Sequence, residues 1–151
     1  MLKKLRTAFC VGLIMALPIA FAAQPGKQEA QAIVEKAVAY AAANGSDKLI
    51  AEANKKNGQF HQGDLYVFIF DETGTLLANP FSPDQVGKND VDKPDADGKL
   101  FRKDILSIAN EKGSGWVDYK WKNPTSGQLE SKVSYVKKQG NVIIGAGAYS
   151  K

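Results

Sequence analysis

The final third of the chain constrains the fold more than any other part. "SGWVDYKWK", "LESKVSYVKK" and "NVIIGAGAYS" follow one another with only "NPTSG" and "QG" between them. Each is rich in β-branched, aromatic or alternating residues, and each connector is turn chemistry. Connections this short join antiparallel neighbours, because a parallel pair needs a crossover of about a dozen residues or more. The chain therefore ends in a three-stranded meander. Within "WVDYKW" the strand period puts Val117, Tyr119 and Trp121 on one face and Trp116, Asp118 and Lys120 on the other. Both faces carry large aromatics with polar edges, which a half-buried strand does not require.

Upstream the period changes twice. In "KQEAQAIVEKAVAYAAANG" the residues Ile33, Val34, Ala37, Val38 and Ala41 recur at helical spacing, and Asn44-Gly45 is a stop signal. Ser46 is placed to cap a second helical piece through Leu49, Ile50 and Ala53. The alanine-rich face predicts close packing against something flat. "DLYVFIFDETGTLLANP" reads as strand, turn at Asp71–Gly74, and strand ending at Asn79-Pro80. A long loop, "FSPDQVGKNDVDKPDADG", comes next, and loops of that length are often functional. "KLFRKDILSIANEKG" reads as a helix with Leu100, Ile105, Ile108 and Ala109 inward. The expected class is α+β, with a central five-stranded antiparallel sheet in one domain.

The first residues stand apart. "MLKKLR" is basic, "TAFCVGLIMALPIAFA" is apolar, and "AFA" offers small residues for cleavage before Ala23. The order predicts a secretory signal peptide over 1–22 and a mature domain over 23–151; an uncleaved anchor is the alternative. Cys10, the only cysteine, would leave with the signal, so no disulfide or thiol chemistry is expected. Loss of Lys3, Lys4 and Arg6 would lower the formal net charge from +4 to +1. That removes the argument for a nucleic-acid partner. A bacterial periplasmic product is expected, not embedded in the membrane after cleavage, and able to signal only through a second protein.

Most catalytic chemistry is excluded by what is missing. His61 is the single histidine, so no Cys/His zinc site is available, and with no serine in a "GxSxG" elbow and His61 in the approach to the first strand a Ser-His-Asp triad is not expected. "GAG" at Gly145–Gly147 lies in a terminal strand and is no dinucleotide turn. "NDVDKPDADG" fails the EF-hand spacing and reads as a solvated loop. No enzyme, cofactor or metal is expected. What remains is the composition of a small-molecule pocket: Tyr66, Trp116, Tyr119, Trp121 and Tyr135, with Asn79 and Lys132 as polar groups.

The ordered motifs resemble the single Cache domains. That family shows a strand, "DxxG", a strand ending in "HP", "GKN", a helix, "GxGWVxYxWxNP", "KxSYVK" and "GxGxY". The matching residues here are Asp71 and Gly74, Asn79-Pro80, Gly87–Asn89, Gly113–Pro124, Lys132–Lys137 and Gly145–Tyr149. The resemblance implies a PAS-like fold, with a long N-terminal helix on one side of the sheet and a short helix over a ligand pocket on the other. It implies a sensor for a small carboxylate such as acetate, propionate, pyruvate or lactate. The partner implied is a separate membrane receptor or sensor kinase; a ligand-free docking module is the alternative. The expected ligand-binding residues are Tyr66, Asn79, Tyr119, Trp121, Lys132 and Tyr135. Of these, Tyr119, Trp121 and Tyr135 would form the walls and Tyr66 and Asn79 the rim. Asn79 replaces the family's histidine and can hydrogen-bond a carboxylate without adding charge. Lys132 would meet the carboxylate, provided the hairpin register does not pair Tyr119 with Val133 and turn Lys132 away.

Overall fold

The computed structural model describes residues 26–150. The expected signal peptide, its cleavage site and Cys10 lie outside the described residues. No helix among the described residues is long and apolar enough to cross a membrane.

Helix α1 (Lys27–Asn44) buries Ala30, Val34, Ala37 and Ala41 along one stripe. These small side chains let the helix lie close over β5 and β6. Gly45, at φ +90°, ends α1 and begins α2 (Ser46–Ala53). The expected cap at Ser46 is therefore corrected: the tight junction needs a left-handed residue, and Ser46 already lies in the helix.

The sheet has six antiparallel strands: β1 (His61–Gln62), β2 (Leu65–Asp71), β3 (Leu76–Ala78), β4 (Ser114–Lys122), β5 (Leu129–Gln139) and β6 (Val142–Ser150). Their order is β1-β2-β6-β5-β4, and β3 shares the outer edge of β2. The extra strand over the expected five is β1, which folds back on β2 across Gly63 at φ +63°. Helix α3 (Phe101–Lys112) covers the face opposite α1, burying Phe101, Ile105 and Ala109. Leu100, expected on that inner stripe, is half-buried just before the helix, and Phe101 takes its place.

Alternation along the strands divides the core in two. Leu65, Val67, Ile69, Val142, Ile144 and Ala146 pack beneath α1 and α2. Tyr66, Phe68, Phe70, Val117, Tyr119, Val136, Ile143 and Tyr149 pack with α3.

The long loop is less irregular than its composition suggests. A 3-10 turn spans Pro83–Gln85, and Thr75 bridges Asn89. Asp95, expected to be solvated, is a fastener. Its carboxylate accepts the backbone N–H groups of Asp97, Lys99 and Lys120 at 3.0, 2.8 and 2.8 Å. Burial works against its charge, and these hydrogen bonds outweigh it, holding its pKa below the usual carboxylate value. Lys99 Nζ donates to the Asp118 carbonyl at 2.6 Å. The loop thus closes part of the outer edge of β4.

Candidate ligand pocket

On the α3 side the sheet, the loop and the first turn of α3 enclose a cavity. Its floor is Tyr66, Phe68, Tyr119 and Lys132; Asn79, Lys88, Asp90, Phe101, Arg102 and Trp121 are among its walls. The void measures ≈ 500 Å³ when space open to solvent is counted, but the centres of water molecules can occupy only ≈ 40 Å³ of it. At ~10–15 Å³ per water centre, that is room for about three waters or a ligand of a few heavy atoms.

Register decides which residues meet here. Tyr119 pairs with Lys132, so the two side chains share the cavity face. The pairing with Val133 that would have turned Lys132 away does not occur. Lys132 is 2% exposed. Its Nζ donates to the Tyr66 hydroxyl at 3.1 Å and lies 4.1 Å from the Tyr66 ring centre and 4.9 Å from that of Tyr149. None of the ion pairs among the described residues includes it. Burial opposes the ammonium, and the Tyr119 and Tyr66 oxygens, the hydrogen bond to Tyr66 and the Asp64 carboxylate together outweigh it, raising its pKa above the ordinary lysine value. Burial likewise pushes the Tyr119 and Tyr149 phenols up, which keeps both neutral at physiological pH. The cavity floor is thus a cation held by aromatic faces and one hydroxyl.

"GAG" acquires a role on this face. A Cβ at Gly145 would collide with the Phe68 ring, and one at Gly147 would run into Ser134 Oγ and stand 2.8 Å from Lys132 Cε. The two glycines let Phe68 and the Lys132 stem lie flat across β6.

Asn79 lies in the cavity wall and is 5% exposed. Its Oδ1 accepts the Phe81 N–H at 3.0 Å, and its backbone N–H donates to Asn54 Oδ1 at 3.1 Å. With the oxygen engaged, the Nδ2 hydrogens remain for the cavity. Tyr119 stacks on Phe101 with ring centres 4.1 Å apart, and its hydroxyl lies 2.9 Å from Ser134 Oγ. Trp121 meets the Phe101 ring edge-on at 5.6 Å.

Five of the six expected residues line the cavity: Tyr66, Asn79, Tyr119, Trp121 and Lys132. Tyr66 forms floor, not rim, since it is 1% exposed. Tyr135 is corrected. It lies on the α1 face, its ring 5.2 Å from Trp116 and its hydroxyl 3.4 Å from Glu35 Oε1. It lies three positions after Lys132, an odd step that puts the two on opposite faces of one strand. Trp116 likewise lies outside the cavity. Sequence reasoning missed Phe68, Phe101 and Arg102. Phe68 was legible, because it shares the parity of Tyr66. Arg102 carried no signal, since only the folded loop brings the start of α3 over the sheet; its guanidinium lies 4.4 Å from the Phe101 ring centre and 5.4 Å from that of Trp121.

Comparison with known proteins agrees with this architecture. The chain is 31% identical over 88 residues to the sensor histidine kinase MctS of Rhizobium johnstonii, a stretch covering 57% of this chain and 19% of the kinase. The chain thus matches under a fifth of that relative's length. A methyl-accepting chemotaxis protein from Vibrio parahaemolyticus superposes with a TM-score of 0.69 at 24% identity, covering 82% of this chain and 87% of that one. A Cache chemosensory domain, solved to explain its carboxylic acid recognition, gives 0.64 at 23% identity, covering 82% and 88%. The family model for single Cache domain 2 matches residues 22–151. The match over residues 22–151 places this chain in the single Cache domain 2 family of sensor domains.

Proposed function

We propose that this domain is a non-catalytic periplasmic sensor for a small carboxylate, exported by a cleaved signal peptide over 1–22 and acting through a separate membrane receptor or sensor kinase. The observation that carries the ligand class is Lys132: a buried ammonium at a cavity floor, with no acidic partner within ion-pair distance among the described residues. No described acid lies close enough to pair with it directly, and an incoming carboxylate would do so. The small free volume favours the acetate-to-lactate size range. Asn79 Nδ2 would donate to the second carboxylate oxygen or to a ligand hydroxyl. Arg102 and Lys88 near the mouth, against Asp90, would favour anion entry. The carboxylic acid recognition of a structurally similar Cache domain supports the same class. Residence outside the cytoplasm suits a family of extracellular and periplasmic sensor domains.

Thermal melting against acetate, propionate, pyruvate, lactate, their amides, and a set of amines and amino acids tests this reading. A carboxylate at one hundred times its dissociation constant should add about 2.7 kcal/mol of stability. A Tm unmoved by every carboxylate would overturn the ligand assignment, and one unmoved by the amides, amines and amino acids as well would leave a ligand-free docking module.

A further inference from the structure

Tyr149 is not in the cavity wall, yet its hydroxyl completes a chain that begins there. Lys132 Nζ lies 3.1 Å from the Tyr66 hydroxyl, which lies 3.2 Å from the Tyr149 hydroxyl, which lies 3.3 Å from the carbonyl oxygen of Lys122. The direction of every link follows from donor and acceptor chemistry. A carbonyl only accepts, so Tyr149 spends its single proton on Lys122. Tyr149 can then only accept from Tyr66, so the Tyr66 proton points away from the cavity. An ammonium only donates, so Tyr66 accepts from Lys132. The chain runs one way, from the ammonium to the backbone at the end of β4.

We infer that Tyr149 is a positioning residue for ligand recognition: by drawing off the Tyr66 proton it fixes Tyr66 as an acceptor and so holds the Lys132 ammonium in place at the cavity floor. The inference rests on the reading of Lys132 as the carboxylate's partner. Without the Tyr149 hydroxyl, the Tyr66 proton is released to rotate toward the cavity. There it competes with Lys132 for direction and loosens the ammonium. All three side chains are nearly sealed from solvent, with exposures of 1, 2 and 7% for Tyr66, Lys132 and Tyr149, so water cannot easily restore the lost partner.

The test is a double-mutant cycle with Tyr149→Phe and Tyr66→Phe, both of which keep the ring. It is read in two ways. The first is the 15N signal of the Lys132 ammonium in ligand-free protein labelled at lysine, identified by its loss in Lys132→Met. The second is acetate affinity by calorimetry. Tyr149→Phe should shift the Lys132 signal and speed its exchange with water, and should weaken acetate about three- to tenfold, the range for one neutral hydrogen bond. In the Tyr66→Phe background the same change should alter neither quantity more than about twofold. An unchanged Lys132 signal in Tyr149→Phe overturns the inference, as does an equal effect in both backgrounds. Failure of the parent protein to bind acetate counts against the carboxylate reading alone, since the ligand-free signal still decides the role of Tyr149.

Discussion

The two faces of β5 are built from alternate residues of one strand and behave as different materials. Toward α1 the sheet is mostly apolar, and its border is an ion pair between Lys137 and Glu35 at 2.8 Å. Toward α3 the sheet carries Lys132 and Ser134, four tyrosine or phenylalanine rings of β2 and β4, and an enclosed cavity. Lys137 has its acid; Lys132, five residues earlier and far better buried, has hydroxyl and π partners but no acid within ion-pair distance among the described residues. The difference teaches that burial alone does not mark a core residue. One face spends its contacts on holding α1 in place, and the other holds a charge without an ion-pair partner where a ligand could meet it.

Substitutions can break that division. The largest effect is expected from Ile144→Ala beneath α1, where Ile144 is fully buried. It should cost about 2–5 kcal/mol of stability in denaturant unfolding, while leaving ligand affinity of the folded protein unchanged. Lys132→Met should do the reverse. Affinity for a carboxylate should fall by about 1.5–3 kcal/mol, the range for a hydrogen bond to a charged group. Stability should hold or rise, because an unpaired buried charge is replaced by a side chain of similar length. A Tm drop as large as that of Ile144→Ala would show Lys132 to be core.

Tyr119→Phe is a finer probe of the same face. Losing the hydroxyl near Ser134 should weaken ligand by about 0.5–1.5 kcal/mol with the fold nearly intact. Unchanged affinity would reduce Tyr119 to a stacking partner of Phe101. The smallest effect belongs to Glu35→Gln. Both members of that pair are about a third or more exposed, so the loss should be at most about 1 kcal/mol and should shrink in salt. Any loss of affinity in Glu35→Gln would mean that the faces are coupled.

Much of this division was legible in the sequence because strand parity is rigid. Val117, Tyr119 and Trp121 share a face as the period demands, and so do Tyr66, Phe68 and Phe70. Tyr135 was misplaced although its odd spacing from Lys132 was in plain view. Which face Lys132 takes was not legible. "NPTSG" permits more than one hairpin register, and Asn123 fixes the one observed by accepting the N–H groups of Thr125 and Ser126 and donating to Glu130. The β1 strand was missed because two residues carry no periodic signal. The contribution of α3 to the cavity was hidden for another reason: the path of an irregular loop depends on fasteners such as Asp95, whose partner Lys120 is 25 residues away.

That fastener also bears on how the protein behaves in a crowd. A terminal strand with open N–H and C=O groups is a template on which another chain can add. β4 is such a strand, nine residues long, and its own Trp116 is exposed. Asp95 and Lys99 occupy two of its outward groups from the protein's own loop. Because the Asp95 pKa is depressed in the fold, the Asp95 part of this protection is complete above the ordinary carboxylate pKa and weakens as pH falls through the folded value, while the Lys99 bond persists. One of the two covers on this edge is thus acid-labile, and self-association ahead of unfolding is the expected outcome of an acid titration followed together by light scattering and circular dichroism.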